Sequence, residues 1–192
     1  MKAKDIIVKA LERAKRERGL KVITPSDYLS EGHIKKSDHN LIVMTDLNEL
    51  GHKDWVIIAA YYAMYHSVLA VLSKIGLESK DHSTTVAVLE YFFGKQIDKS
   101  LLEKFNELKE KKNEWELIRL EEKYIDYLWK IKRNRETVQY GVTTSYKETE
   151  TVMENAREFV SKIKLLIEKI DEELISVIVK EVKKLQSRAR HS

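Results

Sequence analysis

The sequence contains no cysteine, and this absence excludes several classes of function. Disulfide scaffolds, thiolate nucleophiles, Cys-ligated zinc sites and iron–sulfur clusters all need the thiol group. A chain without it fits a reducing compartment, so we expect a cytoplasmic protein. The residues from Met1 to Gly19 alternate charged with single apolar side chains, a pattern that predicts no secretion signal.

Residues that interrupt regular structure are also scarce. The 192 residues include six glycines and one proline, Pro25. No segment alternates apolar with polar residues for long enough to predict a half-buried strand. These patterns predict an all-α protein whose helices are joined by short turns.

No excess of one charge is present either. The 35 Lys and Arg residues are nearly balanced by 31 Asp and Glu residues, and the formal net charge is +4. The two signs are interspersed, which permits an anionic partner without requiring one. The sequence has no Gly-rich phosphate loop, no G-x-S-x-G and no H-E-x-x-H, and no ligand spacing predicts a metal site or a cofactor.

One segment, Trp55 to Ser73, carries no charged side chain other than a central histidine and is long enough to cross a membrane. Tyr62, Tyr65 and His66 lie at its midpoint, where polar groups would be costly in lipid. A helix that is apolar on all sides also fits the middle of a helical bundle. We therefore predict a buried central helix in a soluble protein, with no membrane partner.

Apolar residues at helical spacing, together with capping and terminating residues, predict the order of the helices. They place helices over about Ala3 to Arg18, Ser37 or Asp38 to Gly51, Asp54 to Gly76, Asp81 to Gly94, Asp98 to Lys111 and Asn113 to Val138. A loop is expected from Leu20 to Lys36. A last helical run begins near Tyr146 and is interrupted at Asp171 to Glu173.

This order predicts an up-and-down bundle of four to five core helices with an N-terminal helix and a long C-terminal helix. We divide the chain into an N-terminal helix and loop (1–36), the bundle (37–170) and a C-terminal helical extension (171–192). Apolar residues continue at heptad-like spacing to Leu185, a pattern that favours association of the C-terminal helix with a second chain.

An arginine falls on the apolar stripe of the helix that ends near Val138. With Ile131 as origin, Arg135 lies at about 40° and Asn134 at about −60°, whereas Arg133 points away at about 200°. An inward-facing guanidinium needs a carboxylate, an aromatic ring or an anionic ligand, because an unpaired buried charge is costly. Arg135 is therefore either half of an internal ion pair or part of a ligand site.

Two segments resemble the signature of the HEPN domain family. The first, AAYYAMYHSVLAVLSKIGLESKDHSTTVAVLEYFF from Ala59 to Phe93, has a helix of the form A-YYA-M-[FY]-H, a G-L loop and a second helix opened by H-S. The second, RNRETVQYG from Arg133 to Gly141, has an arginine followed by tyrosine and glycine at the end of the penultimate bundle helix. The resemblance extends over about Asn40 to Leu166.

The resemblance implies a bundle of four or five helices that commonly forms a homodimer and is often paired with a minimal nucleotidyltransferase. Some branches are RNA-cutting toxins, which use an arginine and a histidine four to six residues apart. No histidine stands at those distances after Arg133 or Arg135, and metal-independent cleavage needs a group that titrates near neutral pH. The chain is more similar to the non-nuclease branch, with Gln139 where that branch often has an acid, so we expect no enzyme activity.

The resemblance also implies a ligand cleft. It would be lined by Tyr62, His66, His82, Asn134, Arg135 and Tyr140, with Arg133 as a further candidate. Ring faces in such a cleft can stack on a base, and Arg135 can hold a phosphate.

The favoured interpretation is a HEPN-like nucleotide- or RNA-binding module that acts as a homodimer, paired with a nucleotidyltransferase in a toxin–antitoxin or defence-type system. One alternative is a metal-independent endoribonuclease toxin that recruits its histidine from elsewhere, such as His66 or His82. The other is a purely structural helical protein that oligomerises through its C-terminal helix.

Overall fold

The computed structural model describes residues 2–13, 19–94, 119–140 and 149–189. These residues form α1 (Ala3–Glu12), β1 (Leu20–Val22), α2 (Asp27–Glu49), α3 (Lys53–Lys74), β2 (Leu77–Ser79), α4 (His82–Phe93), α5 (Glu122–Tyr140), α6 (Thr149–Glu168) and α7 (Glu172–Ala189). The prediction of an all-α helical bundle is confirmed. The helix predicted from Asp98 to Lys111 lies outside the described residues.

Helix α3 is the centre of the bundle. It packs against α2, α4, α5 and α6, and its buried side chains point in every direction around the helix axis. The helix is long and apolar enough to cross a membrane, but 78% of its apolar window is buried inside the protein. The prediction of a buried central helix is confirmed, and a single stripe of α3 stays partly exposed, formed by Trp55, Ile58, Tyr62, His66 and Leu69.

Helix α2 begins well before the predicted start at Ser37 or Asp38. Ser26 caps it by accepting a hydrogen bond from the Leu29 backbone N–H at 3.2 Å, as a serine at a helix N-cap commonly does. The prediction of a loop from Leu20 to Lys36 was wrong, and the proposed division after residue 36 falls inside this helix. Pro25 and Ser26 mark the start of a helix rather than the middle of a loop.

Two short strands join the N-terminal part of the chain to the bundle. Each has three residues, too few to show an alternation of apolar and polar side chains. β1 and β2 are antiparallel, with Leu20 opposite Ser79 and Val22 opposite Leu77. Gly76 connects α3 to β2 with a φ of 78°, and its carbonyl accepts a hydrogen bond from the Ile23 N–H at 2.9 Å. The sequence did not predict this pairing, because three residues per strand leave no periodic signal.

The C-terminal helix packs within its own chain. Asp171 accepts a hydrogen bond from the Leu174 N–H at 2.8 Å, so the predicted interruption before α7 is confirmed. Its apolar residues are buried, and α7 packs against α1, while the Tyr91 hydroxyl of α4 donates to Glu181 at 3.2 Å. The interpretation of this apolar stripe as an association surface was wrong, since the chain's own helices cover it.

We expect Gly76→Ala to destabilise the protein. Alanine would have to adopt φ 78°, and its Cβ would lie 2.8 Å from the Ile23 carbonyl oxygen. The left-handed backbone alone costs about 1–2 kcal/mol, which urea unfolding would measure. Gly32→Ala is the matched control: it lies inside α2 with no atom within 4 Å of the added Cβ, so it should stabilise the helix by about 0.5–1 kcal/mol. Equal effects of the two changes would contradict this account of Gly76.

Candidate functional site

Arg135 is held inside the bundle by the helix that carries it. The buried residues of α5 form one stripe (Tyr124, Ile125, Leu128, Ile131 and Arg135), and α5 packs this stripe against α3 and α4. Arg135 is 7% exposed, and no other arginine or lysine in the described part of the chain is buried. The predicted inward orientation of Arg135 is confirmed, as is the outward orientation of Arg133, which is exposed.

The Arg135 guanidinium has no carboxylate within hydrogen-bond distance among the described residues. Its Cζ lies 4.9 Å from the centre of the Tyr61 ring, and its Nη1 donates to Oε1 of Gln139 at 3.2 Å. The nearest carboxylate oxygen, Oε1 of Glu136, is 3.9 Å from Nη2 and already accepts a hydrogen bond from Lys132 at 2.8 Å. The buried Nε has no hydrogen-bond partner in the described residues. The positive charge of Arg135 is therefore only partly compensated.

Two tyrosines of α3 and the first residue of α4 complete this group. The Tyr61 and Tyr65 rings are stacked with centroids 5.7 Å apart, and the Tyr65 ring lies 4.4 Å from the His82 ring. The Tyr61 hydroxyl is hydrogen-bonded to Nδ1 of His82. Tyr61 thus contacts both His82 and Arg135, and we name these four residues, Tyr61, Tyr65, His82 and Arg135, the Arg135 cluster.

The local start of α4 places His82 in the cluster. Asp81 is the N-cap residue of this helix, and its carboxylate accepts a hydrogen bond from the Thr84 N–H at 2.7 Å. This cap sets the first turn of α4 where α4 packs against α3. His82, which follows the cap, is consequently directed at the tyrosines of α3 rather than at solvent alone, and it is half-buried.

Burial and charge keep both polar members of the Tyr61–His82 pair neutral. Burial, followed by the positive charges of Arg135 and Lys132, lowers the pKa of His82. Burial, followed by the neighbouring Tyr65, raises the pKa of Tyr61. A neutral phenol can donate its O–H to Nδ1, and a neutral imidazole then carries its proton on Nε2. We assign this tautomer to His82, which leaves an N–H donor on its outer side.

The remaining predicted site residues lie elsewhere or at the edge. Tyr62 is half-buried and packs edge-on against Tyr61 at 5.3 Å, and the His66 ring lies 6.4 Å from the Tyr62 ring. Asn134 lines a separate small cavity between α3, α5 and α6, and Tyr140 is 77% exposed. Asn134 and Tyr140 therefore do not join the Arg135 cluster, because one helix cannot direct all of these side chains to one side.

The roles of Tyr61 and Tyr65 were not predicted from the sequence. Their separation of four residues does place them on one face of a helix. Because α3 is apolar all round, however, no pattern within the segment distinguishes the face that meets α4 and α5 from the others. The identity of their partners, His82 and Arg135, depends on how three helices pack.

A second pair of histidines joins α2 to α3. Nδ1 of His33 and Nδ1 of His66 are 3.2 Å apart, so one nitrogen donates a hydrogen bond and the other accepts it. Burial, followed by the positive charges of His33 and Lys36, lowers the pKa of His66 to about 4. Burial and Lys36 also lower the pKa of His33. This contact therefore needs at least one neutral ring, and it places His66 with His33 rather than with Arg135.

Comparison with known proteins identifies one family. Residues 30–170 match the family model of the HEPN domain. No curated protein matches the chain. The matched region begins in α2 and ends just before α7, so it includes every member of the Arg135 cluster, whereas α1 and α7 lie outside it.

We expect the free energy of unfolding to fall as the pH is lowered from 6.5 towards 4. The pKa of both His33 and His66 is lower in the folded chain than its ordinary value of 6.5. In this pH range the unfolded chain binds more protons than the folded chain, so protonation favours unfolding. Urea unfolding at pH 7.5 and pH 5 would measure the difference.

The matched variants for this test are His66→Gln and His39→Gln. His66→Gln should make the loss of stability between the two pH values smaller, because it removes one of the histidine rings whose pKa is lowered in the folded chain. His39 is exposed on α2, so His39→Gln should retain the pH dependence of the unchanged protein. An unchanged dependence in His66→Gln would refute the role of this pair.

Proposed function

Because the chain belongs to the HEPN domain family, we propose that it is a nucleotide- or RNA-binding module whose ligand binds at the Arg135 cluster. The observation that supports this most is the buried Arg135 guanidinium, whose Nε is unpartnered among the described residues. Guanidinium groups bind phosphate oxygens through strong, charge-assisted hydrogen bonds. A phosphate at this position would supply the negative charge that Glu136, paired with Lys132, supplies only in part.

A more specific proposal is supported by two segments that resemble the family signature, Ala59–Phe93 and Arg133–Gly141. We infer a cytoplasmic protein of the non-nuclease branch that acts as a homodimer. Its partner would be a separately encoded minimal nucleotidyltransferase, in a toxin–antitoxin or defence-type system. Sedimentation equilibrium tests the homodimer directly, since a dimer has twice the 22.5-kDa mass of one chain. Gel filtration with a nucleotidyltransferase encoded beside this gene tests the partner.

The position of His82 favours a second candidate function, a metal-independent endoribonuclease. The sequence lacks a histidine four to six residues after either arginine, but α4 brings His82 against the same tyrosine that Arg135 contacts. This reaction needs the other tautomer of His82, in which Nδ1 donates to the Tyr61 hydroxyl oxygen and Nε2 is free to accept a proton from a 2′-hydroxyl. A guanidinium can stabilise the charge that develops on the phosphate. The third interpretation, a structural oligomerisation protein, loses its main support because the apolar stripe of α7 is buried.

We expect Arg135→Ala to weaken the binding of a short fluorescent RNA, or of a labelled nucleotide, by at least about tenfold. Hydrogen bonds to charged groups contribute about 1.5–3 kcal/mol, which corresponds to roughly 10- to 150-fold in affinity. Fluorescence anisotropy measures the change. Arg133→Ala is the matched control, because it removes an exposed arginine from the same helix and should change affinity by less than about threefold. Equal loss in both variants would contradict binding at the cluster.

Arg135→Lys is a second variant for the same binding test, to be used if Arg135→Ala does not fold. It retains the positive charge but lacks the planar guanidinium, so binding should still weaken while the circular dichroism spectrum remains helical. Wild-type affinity in this variant would mean that a point charge suffices at this position.

Incubation of end-labelled RNA in the presence of EDTA separates the two candidate functions. The binding module should leave the RNA intact. Cleavage that disappears in both His82→Asn and Arg135→Ala would instead support the endoribonuclease and identify its two groups. Cleavage that persists in both variants would come from neither this cluster nor the proposed mechanism.

A further inference from the structure

The tyrosine rings of the Arg135 cluster have no free face for a base. Tyr61 is 0% exposed and Tyr65 is 7% exposed. The Tyr61 ring is stacked on Tyr65 and contacts the Arg135 guanidinium, while the Tyr65 ring is also covered by His82. Aromatic side chains bind bases by stacking on an open ring face. Tyr61 and Tyr65 therefore cannot form a stacking platform for a base.

The polar groups of the cluster that remain for a ligand are all donors. Arg135 has no acceptor atom, and its Nε is unpartnered among the described residues. Nδ1 of His82 is occupied by the Tyr61 hydroxyl, and in the tautomer assigned above Nε2 carries the proton. Two carboxylates lie near the cluster: Glu136 accepts a hydrogen bond from Lys132, and Asp81 accepts from the Thr84 backbone N–H and hydroxyl. The Watson–Crick edge of any base presents both donors and acceptors, whereas a phosphate presents acceptors alone.

Access is possible along one edge of the cluster. His82 is half-buried, and Gln139, which accepts the hydrogen bond from Arg135, is exposed. A ligand that displaces the Gln139 amide from Nη1 would meet the guanidinium and the outer nitrogen of His82. This opening suits a compact anionic group better than a flat ring, because the ring faces are covered.

From these contacts we propose that the Arg135 cluster binds the phosphate group of its ligand and does not discriminate between bases. The inference rests on the proposed function and specifies the part of the ligand that is recognised. A mononucleotide, an RNA and free phosphate all carry this group, so the shared chemistry is a phosphate monoester or diester. Base identity contributes nothing to binding at this position.

Tyr61 is then a positioning residue for phosphate binding. The Tyr61 hydroxyl donates to Nδ1 of His82 and so favours the tautomer that carries the proton on Nε2. Tyr61 itself need not touch the ligand. Tyr124 offers a matched comparison, since it is buried in α5 outside the cluster and its hydroxyl donates to Glu158 instead. Removing either hydroxyl leaves both rings in place.

Calorimetric titration of the full chain tests the selectivity. The ligands are AMP, GMP, CMP, UMP, ribose 5-phosphate, inorganic phosphate and adenosine, and short RNAs with and without a 5′-phosphate. We expect the four nucleotides and ribose 5-phosphate to bind within about threefold of one another and adenosine not to bind; a difference of 1.4 kcal/mol would already be tenfold. If inorganic phosphate binds as tightly as the nucleotides, the phosphate group supplies all of the binding free energy. Tighter binding of the RNA that carries a 5′-phosphate would identify a phosphate monoester as the recognised group. Equal affinity of the two RNAs would identify a phosphodiester.

Other outcomes would overturn the inference. Binding of adenosine, or a preference for one base of more than about tenfold, would refute base-independent recognition while leaving nucleotide binding itself intact. Absence of binding by every phosphate-bearing ligand would instead refute the proposed function along with it. The two failures are therefore distinguishable in one set of titrations.

The role of Tyr61 is tested with Tyr61→Phe and Tyr124→Phe. Loss of the Tyr61 hydroxyl should weaken AMP binding about 3- to 10-fold, in line with the contribution of one neutral hydrogen bond. Tyr124→Phe, which removes a hydroxyl outside the cluster, should change it by less than about twofold. The ¹⁵N chemical shifts of the His82 ring should report a proton on Nε2 in the unchanged protein and in Tyr124→Phe, but a mixture of tautomers in Tyr61→Phe. An unchanged His82 tautomer in Tyr61→Phe would remove Tyr61 from this role.

Discussion

A buried guanidinium with incomplete charge compensation is the constraint on which the site depends. Helix α5 can cover α3 and α4 only by turning Arg135 inward together with its apolar stripe. Moving that charge out of water without a full partner is unfavourable. The Tyr61 ring, the Gln139 amide and the distant Glu136 offset part of the cost. This arrangement leaves a strong donor underused inside a well-packed bundle, which supports the proposed phosphate site.

The rest of the cluster follows from the packing of α3. Because neighbouring helices cover the face of α3 that carries Tyr61 and Tyr65, these two tyrosines cannot reach solvent and must find polar partners inside. Tyr61 does so through His82, and Tyr65 through Thr85 of the same helix α4. The hydrogen bond from Tyr61 orients the neutral His82 imidazole. No carboxylate among the described residues is hydrogen-bonded to this ring. In the proposed phosphate site, Tyr61 and Tyr65 therefore contribute through the groups that they orient, because their ring faces are covered.

The two terminal helices, α1 and α7, contribute packing contacts and no residue of the Arg135 cluster. They lie outside the region that matches the HEPN domain, yet α1 packs on α4 and on α7, and the Tyr91–Glu181 hydrogen bond ties α7 to α4. Their apolar residues add a second buried layer against the side of α4. Helix α4 is thus held between the central helix and these additions, which restrains the first turn that carries His82.

The sequence alone was enough to predict the helical class, the buried central helix, the interruption before α7 and the inward direction of Arg135. Each of these depends on spacing along one helix or on a local cap, and such signals lie within a few residues of one another. The start of α2 was misplaced because Pro25 and Gly32 were taken as loop signals although Ser26 caps a helix there. Only the tertiary structure decided that Tyr61, Tyr65 and His82 surround Arg135, and that the stripe of α7 is covered by its own chain. These contacts join residues from separate helices, and a helix that is apolar on every side carries no mark of which neighbour each face will meet.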